Sequence, residues 1–422
     1  LSHGTICPHN PILRAKARQF LRKLHPLFRK TISPQLLDIP MFSYQFSETH
    51  EMIRQTAREF AQSEIAPTVI ERDEHSVFPA EIVKKMGELG FMGMMVSPEY
   101  GGSGLDAVSY VIAMEEISKV DASCGVIMSV NNSLVCWGIE TFGTPEQKEK
   151  YLRPLAMGEK LGAFCLSEPE AGSDATHQHT TAKQDGDHWV IDGMKNWITN
   201  GTSADIYLVL AQTDREKKHK GITCFIIERT APGFEPGKKE DKLGIRSSDT
   251  CSIALSNVRV HQDAILGGVG GGFKIAMESL NGGRIGIAAQ ALGIAQGAFE
   301  RAVAYSKERI AFGKPISELQ AIQFKLADMS VKIEAARLLT LRAAVLKDNH
   351  ESYVKEAAMA KLSASKASVE VALEAIQVHG GYGYVREYQV ERMLRDAKIT
   401  EIYEGTSEIQ HIVISRELLK NM

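Results

Sequence analysis

Gly162-Ala163-Phe164-Cys165-Leu166-Ser167-Glu168-Pro169-Glu170-Ala171-Gly172-Ser173-Asp174 is where the chain changes its period. A short run of β-formers stops at Pro, Gly, Ser and Asp, residues that free backbone amides and offer a hydroxyl at a strand end. Segments near Thr180–Lys183, His188–Ile191, Ile206–Gln212, Ile222–Ile227 and Ser252–Leu255 repeat the short β pattern. Asp185-Gly186, Asp192-Gly193 and Asn200-Gly201 read as turns between them. The spacing predicts roughly 100 residues of short strands, folded as a small antiparallel barrel or sandwich.

Both flanks read as helical. Upstream, Met52, Thr56, Phe60 and Glu64 are expected to begin one helix face, and Ile82, Met86 and Leu89 recur at helical spacing. Gly101-Gly102-Ser103-Gly104 breaks the run before a helix carrying Val111, Ile112, Met114 and Ile117. After the Gly267–Gly272 cluster the pattern is helical to the end. Ser317 with Gln320 reads as a capping box. Ile322, Leu326, Met329 and Ile333 then line one face, and Val354 to Val378 runs without Gly or Pro. Three long helices and a terminal one predict an antiparallel bundle. The class is therefore α+β: a helical part over 41–160, a β-barrel over 161–267 and a four-helix bundle over 268–422.

Charge sets 1–40 apart. That segment carries seven Lys or Arg and one acid, Asp38, while the other 382 residues carry 42 against 51. Basic, acid-poor composition is that of a mitochondrial transit peptide, although an over-extended start upstream of Met41 would read the same way. The mildly acidic remainder offers no broad footprint for nucleic acid. Six scattered cysteines without a C-x-x-C suit a reducing compartment rather than a disulfide or zinc scaffold. The apolar run Ile285–Phe299 carries Gln290 and Gln296 and is too short to span a bilayer.

No G-x-G-x-x-G follows a strand, and there is no P-loop, H-E-x-x-H or EF-hand loop, which sets aside Rossmann, nucleotide-hydrolase and common metal sites. His177 and His179 form a lone H-x-H, more often two exposed side chains than a ligand pair. What remains is a set of segments of unusual composition. In Lys195-Asn196-Trp197-Ile198-Thr199-Asn200-Gly201, alternation puts Trp197 and Thr199 on one side of a strand, able to flank a planar cofactor or to be core. Arg309-Ile310-Ala311-Phe312-Gly313-Lys314-Pro315 separates two helices with a cation and a ring. Gln377-Val378-His379-Gly380-Gly381-Tyr382-Gly383-Tyr384 ends a helix in glycines that let backbone approach a ligand. Ile402-Tyr403-Glu404-Gly405-Thr406-Ser407-Glu408-Ile409 puts a carboxylate before a glycine at a helix start.

Taken together with Met128–Leu134, Lys238–Arg246 and Arg395–Gln410, these segments resemble the acyl-CoA dehydrogenase flavoprotein family across nearly all of 41–422. The likeness is greatest to its short-chain (butyryl-CoA) members. It implies FAD as cofactor, with Phe164, Leu166, Ser167, Trp197 and Thr199 beside the flavin. It implies Arg309, Phe312, Gln320, Gln377 and Gly381 at the adenine and pyrophosphate, partly across a subunit boundary, and Thr406 and Glu408 as further cofactor contacts. Ser173, Asn281, Arg284, Tyr403 and Gly405 match acyl-CoA contacts, and Glu404 matches the catalytic base. Some members carry the base just ahead of the arginine matching Arg284, where this chain has Asn281-Gly282-Gly283. Glu170 and His379 depart from the family pattern.

The resemblance implies α,β-dehydrogenation of a short-chain acyl-CoA in fatty acid β-oxidation. Glu404 would take the α-proton, the β-hydrogen would leave as hydride, and electrons would pass to an electron-transfer flavoprotein. It also implies a homotetramer, without nucleic acid or a membrane span, in the bacterial cytoplasm or, if 1–40 is a transit peptide, the mitochondrial matrix. Branched- or medium-chain dehydrogenation and an acyl-CoA oxidase are the alternatives.

Overall fold

A computed structural model describes residues 45–420, so the expectations for residues 1–40 lie outside the described residues. The first helix, α1 (Glu48–Phe60), opens on Ser47 and His50, which cap each other reciprocally. Its inward face is Ile53, Ala57 and Phe60; Met52 is exposed, so the expected Met52-Thr56 face is one residue out of phase. Helix α2 (Ala107–Ser118) is buried along its whole length. The helical stretch α3 (Ala122–Phe142) is long and apolar enough to cross a membrane by composition, yet 94% of its most apolar 18 residues are buried inside the protein. It is a core helix, and its apolarity is spent on neighbours on every side.

The β part is one mixed sheet. Its strands are β1 (Gly162–Cys165), β2 (Thr181–Asp185), β3 (His188–Thr199), β4 (Ile206–Gln212), β5 (Ile222–Glu228), β6 (Phe234–Pro236), β7 (Thr250–His261) and β8 (Ile265–Leu266). The order is β6-β7-β3-β2-β4-β5-β8, with β1 pairing parallel to β4. The expected closed barrel does not form: β6 and β8 are separate edges of three and two residues. Closure is not needed, because helices already cover the sheet. Every residue of β4 is buried, and a side chain on Gly162 or Gly272 would strike Val135 of α3 or the backbone of β5. Asp192-Gly193 is no turn either; it lies within β3 at a register shift against β7.

Asn131 and Asn132 lock α3 to this sheet and to the chain before it. Asn131 accepts from the Gly162 N–H at 2.9 Å and donates to Met92 O at 2.8 Å; Asn132 accepts from Met94 N–H and donates to Phe91 O, both at 2.8 Å. Both are buried, where an unmade hydrogen bond costs about 1–3 kcal/mol.

The C-terminal part holds α4 (Gly272–Glu308), α5 (Gln320–Asp348), α6 (Val354–His379), α7 (Val390–Ile399) and α8 (Ser407–Leu419). A two-stranded hairpin, β9 (Ile310–Ala311) and β10 (Lys314–Pro315), joins α4 to α5. Met329 and Ile333 are buried on α5 as the spacing required, but the capping box is absent: α5 starts after Leu319 with no side-chain cap. The five described cysteines are all free and buried.

Candidate active site

The turn between α7 and α8 is held in an unusual backbone. Glu404 has φ +51° and Gly405 φ +96°, and the left-handed region costs a non-glycine residue roughly 1–2 kcal/mol. Surrounding bonds hold it there. The Gly405 carbonyl accepts from Lys361 Nζ at 2.6 Å and from Gln410 Nε2 at 2.8 Å, and Ser407 N–H donates to Glu401 O at 3.0 Å. Thr406 caps α8 by accepting from Ile409 N–H.

This backbone lays the Glu404 carboxylate on α4 at Gly283. A Cβ at 283 would overlap Glu404 Oε2 and stand 3.0 Å from Leu134 Cδ2, so any side chain there would displace the carboxylate from its place. Oε2 is buried and has no hydrogen-bond partner. Burial raises the Glu404 pKa to about 7, with Lys361 and then Arg284 pulling the other way. Half ionised near neutrality and unpaired, it has the properties a general base needs.

Arg284 is buried one residue along α4 and donates through Nη1 to Asn281 Oδ1 at 2.6 Å. Tyr403 reaches along α4 to Gln290 Oε1, and Gln290 donates to Ala122 O at 2.7 Å. Lys361 is wholly buried, and burial lowers its pKa to about 8 despite the nearby Glu404 charge. Glu404, Tyr403, Gly405, Asn281 and Arg284 are therefore brought together. Glu408, by contrast, stands exposed in the first turn of α8.

The strand-end residues form a second set. Phe164 is buried in β1, and Leu166 and Ser167 follow it half-buried. Ser167 O accepts from Asn196 N–H at 2.8 Å, and Leu166 O from Lys195 Nζ at 3.3 Å. Lys195 is fully buried and pairs with buried Glu168 at 2.7 Å; burial would raise the Glu168 pKa, but Lys195 and the Thr180 and His179 donors hold it low. Trp197 is not core. A register shift between Lys195 and Ile198 gives it φ +60° and leaves it 62% exposed; Trp197 and half-buried Thr199 flank buried Ile198, and the shift breaks the alternation with buried Lys195. Ser173 is exposed in the loop beyond, where His177 and His179 pair with Asp174 and Glu170.

The third set lies on the C-terminal helices. Arg309 lines a cavity of about 600 Å³ with Tyr305, Ile316, His379, Gly381 and Tyr382, and its Cζ lies 5.5 Å from the Tyr382 ring. His379 is buried, stacked on Tyr305 with centroids 4.3 Å apart. Phe312 and Gly313 form the tip of the β9–β10 hairpin with φ +52° and +78°, a type I′ pattern that aims a 90% exposed ring outward. Gln320 and Gln377 are exposed at the start of α5 and near the end of α6. Among the described residues no hydrogen bond or ion pair links this set to Glu404.

Sequence reading missed Lys361, Lys195, Glu168 and Gln410. Lys361 had a signal: it falls on the stripe Ala357, Lys361, Ala364, Ser368 and Val371, a charge on a buried helix face. Lys195 and Glu168 lie 27 residues apart, and only the fold pairs them.

These groups suit a flavin nucleotide. Trp197 offers an uncovered planar ring, Ser167 and Thr199 offer hydroxyls near strand ends, and Arg309 with side-chain-free Gly381 suits phosphate. A buried, unpaired carboxylate on a glycine face, with an exposed ring, hydroxyls and a cation elsewhere on the chain, is an arrangement that a flavin-dependent enzyme acting on carbon acids could use.

Comparison with known proteins makes this specific. Three family models match in order: acyl-CoA dehydrogenase N-terminal domain over 47–159, middle domain over 163–258 and C-terminal domain over 270–419. The chain belongs to the acyl-CoA dehydrogenase family. It is 55% identical over 379 residues to the mitochondrial short-chain specific acyl-CoA dehydrogenase of Bos taurus, covering 90% of this chain and 92% of that protein. Among solved structures, butyryl-CoA dehydrogenase from Megasphaera elsdenii superposes with TM-score 0.88 at 47% identity, covering 90% of this chain and all of that one. A chain solved under the description "Electron transferring flavoprotein of Acidaminococcus fermentans" superposes with TM-score 0.89 at 51% identity over the same shares.

Proposed function

We propose that this FAD-dependent enzyme dehydrogenates short-chain acyl-CoA thioesters to 2-enoyl-CoA, with Glu404 as the base that removes the α-proton. The observation that carries the assignment is the unpaired, buried Glu404 oxygen against Gly283, its pKa raised to about 7. A carboxyl of ordinary acidity would be a weaker base towards a carbon acid, and burial narrows that gap. The left-handed turn at Glu404 gives its peptide N–H no acceptor among the described residues, which leaves it available to polarise the thioester carbonyl. Arg284 and Asn281, with Tyr403, Gly405 and Ser173, orient the acyl-CoA. Lys361 keeps the carboxyl from being protonated outright and pins the turn that aims it.

Bound FAD supplies the two-electron acceptor for the β-hydrogen. Phe164, Leu166, Ser167, Trp197 and Thr199 hold its reactive end in this reading. Arg309, Phe312, Gln320, Gln377 and Gly381, with Thr406 and Glu408, take the nucleotide end. The exposed ring of Phe312 supports a role across a subunit boundary, and with it a homotetramer built on the C-terminal helices as a four-helix bundle. We place the domain limits at 41–160, 161–267 and 268–422. The electron acceptor proposed is an electron-transfer flavoprotein. Relatives are bacterial and mitochondrial, and the proposed compartment is the bacterial cytoplasm, or the mitochondrial matrix where residues 1–40 act as a transit peptide.

The test is a steady-state screen of the yellow holoenzyme against straight and branched acyl-CoAs from four to sixteen carbons, with a dye acceptor. Butyryl- or hexanoyl-CoA should lead. A kcat/KM maximum at twelve carbons or more would overturn the short-chain reading, and a preparation that takes up no flavin would overturn the assignment.

A further inference from the structure

We propose that Tyr110 ends the acyl channel and is the residue that limits substrate chain length. The inference rests on the dehydrogenase reading above. Tyr110 is on α2, and its side chain is buried to 1% exposure. Its hydroxyl donates to Ser129 Oγ at 3.2 Å and accepts from Ser133 Oγ at 2.9 Å, so three hydroxyls from two helices close on one another. They face α4 at Gly286: a Cβ there would lie 2.7 Å from Tyr110 Oη and 2.6 Å from Ser129 Oγ. Gly286 is one turn beyond Gly283, where the Glu404 carboxylate rests.

The direction of the channel follows from what walls it. Tyr403, the residue before Glu404, runs along α4 from the Gly283 level towards Gln290 and meets it there. Tyr110 stands on the same stretch from the α2 side. Behind Gly283, at Gly282, the nearest side chain is Lys347, whose Nζ would be 3.7 Å from a Cβ there, and an amine is a poor end for an alkyl chain. The tail of a substrate held at Glu404 therefore extends towards Gly286. The Glu404 charge also adds to burial in holding the Tyr110 hydroxyl protonated.

Distance then sets the length. Three helical residues advance about 4.5 Å, the reach of three or four zigzag carbon–carbon bonds of about 1.5 Å. With the α-carbon, the second carbon of the acyl group, at Glu404, the chain meets Tyr110 at about the fifth or sixth carbon.

The experiment uses the flavin-loaded enzyme and its Tyr110→Phe, Tyr110→Ala and Gly286→Ala variants. Two readouts are taken: kcat/KM for butyryl-, hexanoyl- and octanoyl-CoA, and calorimetric Kd for the matching 2-enoyl-CoA products. Tyr110→Phe should raise the hexanoyl-to-butyryl ratio about three- to tenfold, and Tyr110→Ala the octanoyl-to-butyryl ratio at least about tenfold, as one or two methylene groups carry in an apolar site. Product Kd ratios should move the same way, and Gly286→Ala should move both ratios downward. If Tyr110→Ala fails to fold, the near-isosteric Tyr110→Phe and the opposing Gly286→Ala decide. Folded variants that keep the wild-type ratios would overturn the role of Tyr110 alone. Wild-type enzyme inert towards all three thioesters would instead overturn the dehydrogenase reading beneath it.

Discussion

Replacing Lys361 with methionine should move the acid limb of the pH–rate profile upward rather than lower the rate uniformly. Lys361 is fully buried, donates to the carbonyl of Gly405 at 2.6 Å, and is the cation that most lowers the Glu404 pKa. Methionine keeps the length and apolar stem, and Gln410 still donates to the same carbonyl at 2.8 Å, so the turn keeps one of its two ties. A neighbouring opposite charge in a buried site is worth roughly one to two pKa units. The Glu404 pKa of about 7 should therefore rise to roughly 8–9. At pH 7 the ionised fraction would fall from about one half to between about a tenth and a hundredth, a loss of about five- to fiftyfold. The sign is fixed: the base must be ionised, so activity lost near neutrality should return as pH rises. Because the Lys361 pKa is itself only about 8, wild type and variant should converge in more alkaline buffer, where the lysine has shed its charge. Anaerobic stopped-flow bleaching of the flavin by saturating butyryl-CoA, from about pH 6 to about pH 9.5, measures both limbs. A loss of equal size at every pH would mean that Lys361 acts only as scaffold, and the electrostatic argument would fail.

Glu404→Gln should keep flavin and acyl-CoA binding while bleaching slows by roughly 10²–10⁴-fold, the size of a general-base contribution; near wild-type bleaching would show the base misassigned. Moving the base to position 283 needs space that Glu404 itself fills, so Gly283→Glu should recover part of the rate with Glu404→Ala and much less with Glu404→Gln. Lys195→Met leaves the Glu168 carboxylate buried without its cation, which should cost about 3–5 kcal/mol in a denaturant titration and loosen flavin retention, and Lys195→Met with Glu168→Met should recover much of it. Phe312→Ala removes a ring that is 90% exposed, so the melting temperature of the flavin-free chain should stay within a degree or two while flavin is lost faster on dilution.

Periodicity and turn residues were enough to place the helical, β and helical stretches, because those signals are local: a strand alternates and a helix repeats within the reach of its own residues. The carboxylate ahead of a glycine at a helix start is also written in adjacent letters, but it was the family resemblance, and not that pattern, that singled out Glu404. Local signals failed where a partner distant in sequence sets the outcome. The strands of β4 and β5 look the same whether a sheet closes on itself or is covered by helices, and the covering α3 and the start of α4 decided that here. Trp197 alternates correctly on paper, but the extra residue between Lys195 and Ile198 against β7 turns it outward. Composition singled out Ile285–Phe299 as the most apolar run, and it is buried in the fold, as is most of Ala122–Phe142. The environment that raises the Glu404 pKa was not legible at all. That pKa depends on burial, on Lys361 43 residues away in sequence, and on a bare helix face at Gly283, and Coulomb energy and desolvation act through space rather than along the chain.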